Sequence, residues 1–333
     1  MKNYKLSDET KTLPCGTVLH RVVATTTFTL ACGLTINAGD VGGWIEKESN
    51  LSDNAWVLGN AQVYGNAEVY GDAWVSDNAL VFGNARVRGD AWVFDNAQVS
   101  GDAQVFDYAK VYGNAQASCN AWVSDNVLVF GNAKVFGNAW VFNNARISGN
   151  AKVFDNAQVY GDTEVSGDAL VSGDAQIYGD ALVSGNAQIY GDAQVFDNVK
   201  VFDNAQVYGD ALVFDNAQVY GDAWVYGDAL VSGNAKVSGN ALVSGYALVS
   251  GNAKVSGDAK VMKASDYIVF KNHWSSGRFF TWTKSNDMWA EGRFCGTGDE
   301  LIKKAYADSE DSGKHYEACV KSVETLKNVE QTE

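Results

Sequence analysis

The sequence predicts an all-β solenoid, a three-sided parallel β-helix of about 12 coils. Valine or isoleucine occupies every sixth position over residues 57–261, and Ala117 is the only exception. Tryptophan also recurs at eighteen-residue intervals, at Trp56, Trp74 and Trp92. A fixed short period without insertions is typical of a solenoid, whose units bury their apolar sides only by stacking on their neighbours. Because eighteen residues are three repeats, stacked positions recur at every third repeat, and this predicts three sides.

Each six-residue repeat predicts one short strand and one corner, as the repeat that begins at Ala61 illustrates. Ala61 and Val63 are two residues apart and point to the same side of an extended strand, whereas Gln62 and Tyr64 point to the other side. The following Gly65–Asn66 pair tolerates the positive φ of a sharp corner. Small alanine and β-branched valine on the inner side indicate a narrow interior.

Residues 1–51 lack the repeat and predict an N-terminal cap, ahead of the repeats at residues 52–262. Strand-like segments at Val18–Ala24 and Phe28–Leu30 precede a glycine-rich segment at Asp40–Trp44, which predicts a turn. A cap is expected because the first coil of a solenoid otherwise exposes strand edges and core.

Residues 263–333 change sharply in composition and predict a small α+β module. Three aromatic-rich strands are predicted, at Tyr267–Phe270, Arg278–Thr283 and Met288–Phe294. Two helices are predicted to follow, over Asp299–Ala307 and Ser312–Lys327, with Ser312 as the cap of the second.

The repeated Val-x-Gly-Asn-Ala-x unit resembles the hexapeptide repeat of left-handed parallel β-helix proteins of the LpxA-like superfamily, over residues 52–262. The first fifty residues, with Tyr4–Ser7 and Gly42–Trp44, resemble the leader of YdcK-type bacterial and prophage repeat proteins, which are labelled acetyltransferases from the fold alone. The resemblance implies a left-handed coil and a phage or prophage origin. Residues 263–333 are similar to a module that accompanies such repeats in phage-encoded proteins.

The charge of the chain bears on which partners it can bind, and its cysteine content bears on its cellular location. The formal net charge is −15, and residues 52–262 hold 10 Lys+Arg against 23 Asp+Glu, so the repeats would repel nucleic-acid phosphates. The five cysteines are scattered without CxxC spacing, which favours a reducing cytoplasm. We expect no signal peptide and no membrane contact, because no apolar run approaches the ~18 residues of a membrane helix.

The histidines argue against acyl transfer. Enzymes that resemble this fold use a histidine on a coil or a protruding loop as general base. The three histidines here are His20, His273 and His315, and all lie outside the repeats. The repeat is also never interrupted by a loop that could fold over a coenzyme A arm. We therefore expect no catalytic residues, and acyltransferase activity stays as the alternative.

One row of carboxylates suggests a cation. Asp174, Asp192, Asp210 and Asp228 recur at eighteen-residue intervals, so they are predicted to line one corner at ~4.8 Å intervals. A hard cation such as Ca²⁺ would relieve their repulsion. The alternative is that aspartate is simply a good corner residue and that water and salt screen the row. We expect no other cofactor.

Tryptophans at outward positions predict an interaction surface, because contiguous exposed apolar area usually marks an interface. Those of the repeats are Trp56, Trp74, Trp92, Trp122 and Trp140, and those of the C-terminal module are Trp274, Trp282 and Trp289. The expected partner is a second copy of the chain, in a trimer as in related helices, or another protein. The alternatives are that the aromatic ladders cover themselves by stacking and that the tryptophans of the module form its core.

These observations together predict a cytoplasmic, non-catalytic scaffold that presents aromatic faces and a C-terminal docking module. The acyltransferase is one alternative. A second is an acidic phage decoy that binds a host factor through its charged, repetitive faces.

Overall fold

The computed structural model describes residues 2–330 and is a parallel β-solenoid of about 12 coils, which confirms the predicted fold class. The described residues form two compact units, divided between Asp192 and Ala193. This division differs from the predicted boundaries at residues 51/52 and 262/263, which mark changes of sequence pattern and stay predictions as domain limits. No helix within residues 2–330 has the length and apolar character that crossing a membrane requires.

The N-terminal cap of the first unit is made of five strands. They are β1 (Tyr4–Thr12), β2 (Val18–Ala24), β3 (Phe28–Thr29), β4 (Thr35–Ile36) and β5 (Val41–Ile45). Strands β1, β2 and β5 form an antiparallel sheet, and β3 and β4 form a separate hairpin. Strand β5 then pairs in parallel with the solenoid, Trp44 opposite Gln62. The cap therefore extends one sheet of the solenoid.

The segment Asp40–Trp44 is not the turn that its glycines predict, because most of it forms strand β5. A Cβ atom at Gly42 would lie 2.5 Å from the Val57 carbonyl oxygen, and one at Gly43 would lie 2.6 Å from Val57 Cγ1. The glycines are required by this close approach of two backbones and not by a corner.

The repeats form strands of two residues each, β6 (Trp56–Val57) to β40 (Lys260–Val261), one at every sixth residue. Only Gln206–Tyr208 and Trp224–Tyr226 contain three residues. In the first unit the strands lie in three parallel sheets, in which each residue is opposite the one eighteen positions later. We call them the first face (strands starting at residue 62 and every eighteenth residue after it), the second face (from 68) and the third face (from 56).

Every corner turns on a residue with positive φ, as predicted. Gly59 has φ of 67° and Asp77 has φ of 61°, and glycine, aspartate or asparagine occupies the equivalent positions except at Cys119, which has φ of 59°. The backbone pairs along the solenoid axis through N–H groups that donate to the carbonyl seventeen residues later, such as Gln62 to Ala79 at 2.9 Å. Because the corners recur every six residues, the backbone N–H and carbonyl groups of one coil lie opposite those of the next coil and form hydrogen bonds with them.

The interior is the alanine and valine stripe of the repeats, which is buried throughout both units. The three positions that break the alanine pattern, Val127, Thr163 and Val199, are equally buried. The hydroxyl of Thr163 donates to the Tyr160 carbonyl at 2.7 Å, so a polar side chain is tolerated there without an unpaired group.

The second unit continues the same repeat and adds the C-terminal module. The module contains β41 (Tyr267–Lys271), β42 (Phe279–Thr283), β43 (Met288–Glu291), β44 (Phe294–Gly296), α1 (Gly298–Asp308) and α2 (Glu310–Glu330). The four strands form one antiparallel sheet, and the two helices pack on it around Phe280, Trp282 and Trp289. The predicted α+β module is therefore present.

Two details of the module differ from the prediction. The expected strand Met288–Phe294 is two strands, separated by a two-residue turn at Gly292–Arg293, where Gly292 has φ of 53°. Helix α2 begins at Glu310, and the Ser309 hydroxyl accepts the Ser312 N–H at 3.1 Å, so Ser309 and not Ser312 is the cap.

The module covers the free N–H groups at the C-terminal end of the solenoid in the second unit. Three backbone N–H groups of the last coil donate to side-chain oxygens of the module: Ser250 to Tyr267 at 3.3 Å, Lys254 to Thr281 at 2.8 Å and Lys260 to Ser285 at 2.6 Å. These contacts satisfy an edge that otherwise invites pairing with another chain.

Candidate interaction surfaces

The outward tryptophans of the third face are only partly available at the surface. Trp56, Trp74 and Trp92 lie opposite one another in adjacent coils, as predicted. Trp56 is fully buried, because Phe28 of the cap packs edge-on against it with ring centroids 5.7 Å apart. Trp56 therefore cannot present the surface predicted for it. Trp74 and Trp92 are half-buried and meet edge to face at 5.4 Å.

Next to Trp92, the cap and the third face enclose a groove of about 410 Å³ in the first unit. Its walls include Cys32 from the cap and Trp92, Tyr108 and Leu128 from the repeats. Tyr108 is 60% exposed. The ammonium of Lys110 lies 4.0 Å from the centre of the Trp92 ring and occupies one of its faces by a cation–π contact.

The second face of the first unit carries a continuous aromatic patch, made of Arg88, Phe106, Trp122 and Trp140. Trp122 and Trp140 stack with ring centroids 5.8 Å apart, and Phe106 meets Trp122 edge-on at 4.7 Å. The Arg88 guanidinium lies 4.3 Å from the centre of the Phe106 ring. Trp140 is 50% exposed although its neighbours are half-buried or buried. The patch thus combines tryptophan and arginine, the residue types that dominate protein interfaces.

Other aromatic residues cover one another in columns at the position before each corner. Their rings stack nearly parallel at 4.7–5.1 Å, as in Phe94–Tyr112–Phe130 and Phe142–Tyr160–Tyr178 of the first unit and Phe196–Phe214 of the second. These residues are half-buried. Their stacking matches the self-covering alternative, and each pair adds about 0.5–1.5 kcal/mol beyond its buried area.

The tryptophans of the C-terminal module are largely internal. Trp282 and Trp289 belong to its buried core, so for them the core alternative holds. Trp274 is half-buried and stacks on the His315 ring at 4.6 Å, with the two planes 13° apart. None of these three presents the flat exposed face that the prediction of an interaction surface requires.

The histidines lie where the sequence predicts, in the cap and in the module. His20 Nδ1 is 3.4 Å from the Ser7 carbonyl, and His315 Nδ1 is 2.8 Å from the Asp311 carbonyl in helix α2. His273 meets the His315 ring edge-on at 6.1 Å. All three histidines therefore lie outside the repeat strands, although His20 is in β2, which joins the sheet of the first face through β5.

The predicted carboxylate row is divided between the units, with Asp174 and Asp192 in the first and Asp210 and Asp228 in the second. Asp174 accepts a hydrogen bond of 2.8 Å from the Asn156 amide eighteen residues earlier. Within residues 2–330, no three His, Cys, Asp or Glu side chains are gathered closely enough to hold a metal ion. Calcium binding by these aspartates stays a prediction.

Comparison with known families bears on the repeats alone. Six segments match the model of the YdcK β-solenoid repeat: residues 61–77, 145–161, 175–191, 205–221, 217–233 and 235–251. No curated protein matches the chain. The matched segments occur in both units, and they confirm the resemblance to YdcK-type repeats.

Proposed function

Because the chain is built from YdcK-type β-solenoid repeats, we propose that it is a non-catalytic scaffold that associates with copies of itself through the aromatic patch of its second face. The repeat scaffold follows from the family of the repeats, and the self-association is carried by one observation. Trp140 is 50% exposed at the end of a patch that otherwise covers itself. Burial of a large exposed aromatic ring by a partner contributes more favourable free energy to binding than burial of its already covered neighbours.

The geometry of the repeats supports a scaffold that keeps its shape. Each strand between the terminal coils is paired on both sides, and columns of stacked rings lie at the position before the corners. Rigid faces lose little conformational entropy on association, which favours binding through a preformed patch. A trimer is the stoichiometry that we expect.

The test is light scattering of the full chain over a range of concentrations, with Trp140→Gln and Trp224→Gln compared. Trp224 is 43% exposed and lies in the second unit, outside the patch, so it is a matched control. We expect a discrete oligomer whose dissociation constant rises at least about tenfold in Trp140→Gln and stays unchanged in Trp224→Gln. A full chain that is monomeric at every concentration would rule out self-association.

The other parts of the proposal rest on the sequence. A cytoplasmic location follows from cysteine usage, and a phage or prophage origin follows from the resemblance. Acyltransferase activity and the acidic decoy are kept as alternatives. A basic host protein that binds Trp140→Gln as well as the natural chain would favour the decoy over self-association.

A further inference from the structure

The C-terminal module contains a cleft of about 560 Å³ that the scaffold role does not use. It lies between two turns of the four-stranded sheet and the helices α1 and α2. Among the side chains that line it are Ser275, Ser276, Arg278, Arg293, Phe294 and Lys304. The cleft therefore combines three cations with hydroxyl groups and an aromatic ring.

The turn that carries Arg278 is held by a buried amide. Asn272 is 2% exposed, and its Oδ1 accepts both the N–H and the hydroxyl of Ser275, at 2.9 and 3.0 Å. Its Nδ2 donates to the Tyr316 hydroxyl at 3.0 Å. The Asn272 N–H donates to the Arg278 carbonyl at 2.7 Å, which closes the turn. Arg278 is thus presented from a fixed backbone.

The second turn, Gly292–Arg293, lies beside the Arg278 side chain, and Arg293 lines the same cleft. A Cβ atom at Gly292 would lie 4.0 Å from Arg278 Nη1, so the guanidinium reaches the neighbouring turn. The Gly292 carbonyl accepts the Lys254 ammonium at 2.5 Å, which anchors this turn to the last coil. Lys304 projects from α1, with its ammonium 4.9 Å from the centre of the Phe294 ring.

The three cations of the cleft have no ion-pair partner among residues 2–330, although the chain has a net charge of −15. Two acids, Glu291 and Asp308, also line the cleft, and neither forms an ion pair with these cations among the described residues. Burial, with the added hydrogen bond to Glu291, raises the pKa of Tyr316, so the hydroxyl stays protonated and continues to donate. The guanidinium groups are left to bind an anion from solution.

We propose that this cleft binds a small organic phosphate, with Arg278 and Arg293 on the phosphate oxygens and the wall of Phe294 and Leu301 against the organic part. Two guanidinium forks and the Ser276 hydroxyl, which accepts the Arg278 N–H and keeps its own proton, suit a tetrahedral oxyanion with several acceptor oxygens. The volume of the cleft is larger than inorganic phosphate alone requires and lies in the range of small-ligand pockets. The site is independent of the aromatic patch and does not depend on self-association.

The test is isothermal titration of the full chain at low ionic strength with phenyl phosphate, inorganic phosphate, benzoate and benzyl alcohol. Phenyl phosphate should bind saturably and at least about tenfold more tightly than the other three, because only it meets both the cations and the apolar wall. Arg278→Gln and Arg293→Gln should each weaken binding by about tenfold or more.

The matched control is Lys303→Gln, a neighbouring exposed lysine on α1 that does not line the cleft. This variant should bind phenyl phosphate as the natural chain does. Equal weakening in Lys303→Gln would show a general charge effect and would overturn the site. Tighter binding of benzoate than of phenyl phosphate would overturn the assignment of phosphate, and an absence of saturable binding to the natural chain would overturn both.

Discussion

At the scale of single residues, the two corner positions of a repeat have different chemistry. Aspartate at the first position satisfies the backbone of the next coil, as Asp95 does by accepting the Gly113 N–H at 3.0 Å. Asparagine at the second position donates its amide to the side chain eighteen residues later. One such chain starts at Asn60 and ends at Asp168, because a carboxylate has no proton to pass on. The choice of Asp or Asn therefore has a local physical reason.

The hydrogen bond from Asn150 to Asp168, at the end of this chain, predicts that the stability of a variant with a second carboxylate depends on pH. Asn150 donates to Asp168 at 2.7 Å, so Asn150→Asp replaces a hydrogen bond by two facing carboxylates. We expect a loss of about 1 kcal/mol in the free energy of unfolding at pH 7. Repulsion raises the folded-state pKa of the pair above the unfolded value, so the loss should shrink as pH falls towards ~4.

Urea unfolding of Asn150→Asp at both pH values measures this effect. Asn60→Asp is the control, because Asn60 donates a longer bond of 3.4 Å to the neutral Asn78. Its loss should be smaller and nearly independent of pH. Equal pH dependence in the two variants would contradict the role assigned to Asp168.

Corner glycines can be divided by what a Cβ atom would meet. Gly149 and Gly251 both have φ of 66°, but a Cβ at Gly149 would lie 2.8 Å from the backbone of Gly167, whereas one at Gly251 would have no neighbour within 4 Å. Gly251→Ala should cost about 1 kcal/mol from the left-handed backbone alone. Gly149→Ala should cost a further 1–3 kcal/mol, roughly, from overpacking. Thermal unfolding of the two variants separates these contributions, and equal melting temperatures would show that the coils move apart freely.

At the scale of elements, the repeating strands were predictable and the capping elements were less so. In each repeat, the inward-facing alanine and valine two residues apart predict one short strand. Because the same spacing recurs at every sixth residue, the prediction of each strand is supported by all the others. The prediction of a turn at Asp40–Trp44 was wrong because glycine is favoured both in sharp turns and where two backbones approach closely. The cap of α2 was misplaced because Ser309 and Ser312 are equally suitable by composition.

The candidate surfaces were predictable only as far as the regular spacing of the repeats determines which side chains are neighbours. The eighteen-residue spacing places Trp122 beside Trp140 correctly. It carries no information on what the cap covers, so the burial of Trp56 under Phe28 was missed. The cleft of the module depends on contacts between segments far apart in sequence, such as Asn272 of a turn with Tyr316 of helix α2, and no spacing rule indicates it.

The contact between the module and the last coil predicts the effect of one hydroxyl. Thr281 is fully buried and accepts the Lys254 N–H at 2.8 Å. Thr281→Val keeps the shape and removes the acceptor, so the free energy of unfolding should fall by about 1–3 kcal/mol. Thr29→Val removes a hydroxyl that pairs with Thr35 at 3.0 Å on the exposed hairpin of the cap, and should change stability by less than about 0.5 kcal/mol. Comparable losses in both variants, measured by chemical unfolding, would contradict the role of Thr281.

At the scale of the whole molecule, the caps follow the polarity of the hydrogen bonds. N–H groups donate towards the C-terminus, so the first coil leaves carbonyl oxygens unpaired and the last coil leaves N–H groups unpaired. The N-terminal cap supplies donors: the Trp44 N–H donates to the Ala61 carbonyl at 2.9 Å, and Arg21 Nη1 donates to the Gly59 carbonyl at 2.8 Å. The C-terminal module supplies acceptors. Each cap thus offers the chemistry that its own end lacks.

This polarity predicts what happens when the module is removed. A chain of residues 1–262 uncovers the N–H groups of Ser250, Lys254 and Lys260. Exposed edges of this kind recruit further strands, so light scattering should show association that grows with concentration without a defined stoichiometry. The full chain should instead stop at a discrete oligomer.

Two variants of the truncated chain separate edge pairing from association through the aromatic patch. Lys254→Pro removes one edge N–H on a terminal strand, where proline is tolerated, and should weaken the open-ended association. Trp140→Gln should leave it intact, because the patch lies on a side and not on the edge. If Trp140→Gln alone abolished the association, the aromatic patch and not the uncovered edge would be its cause, and the module would have no role in preventing growth.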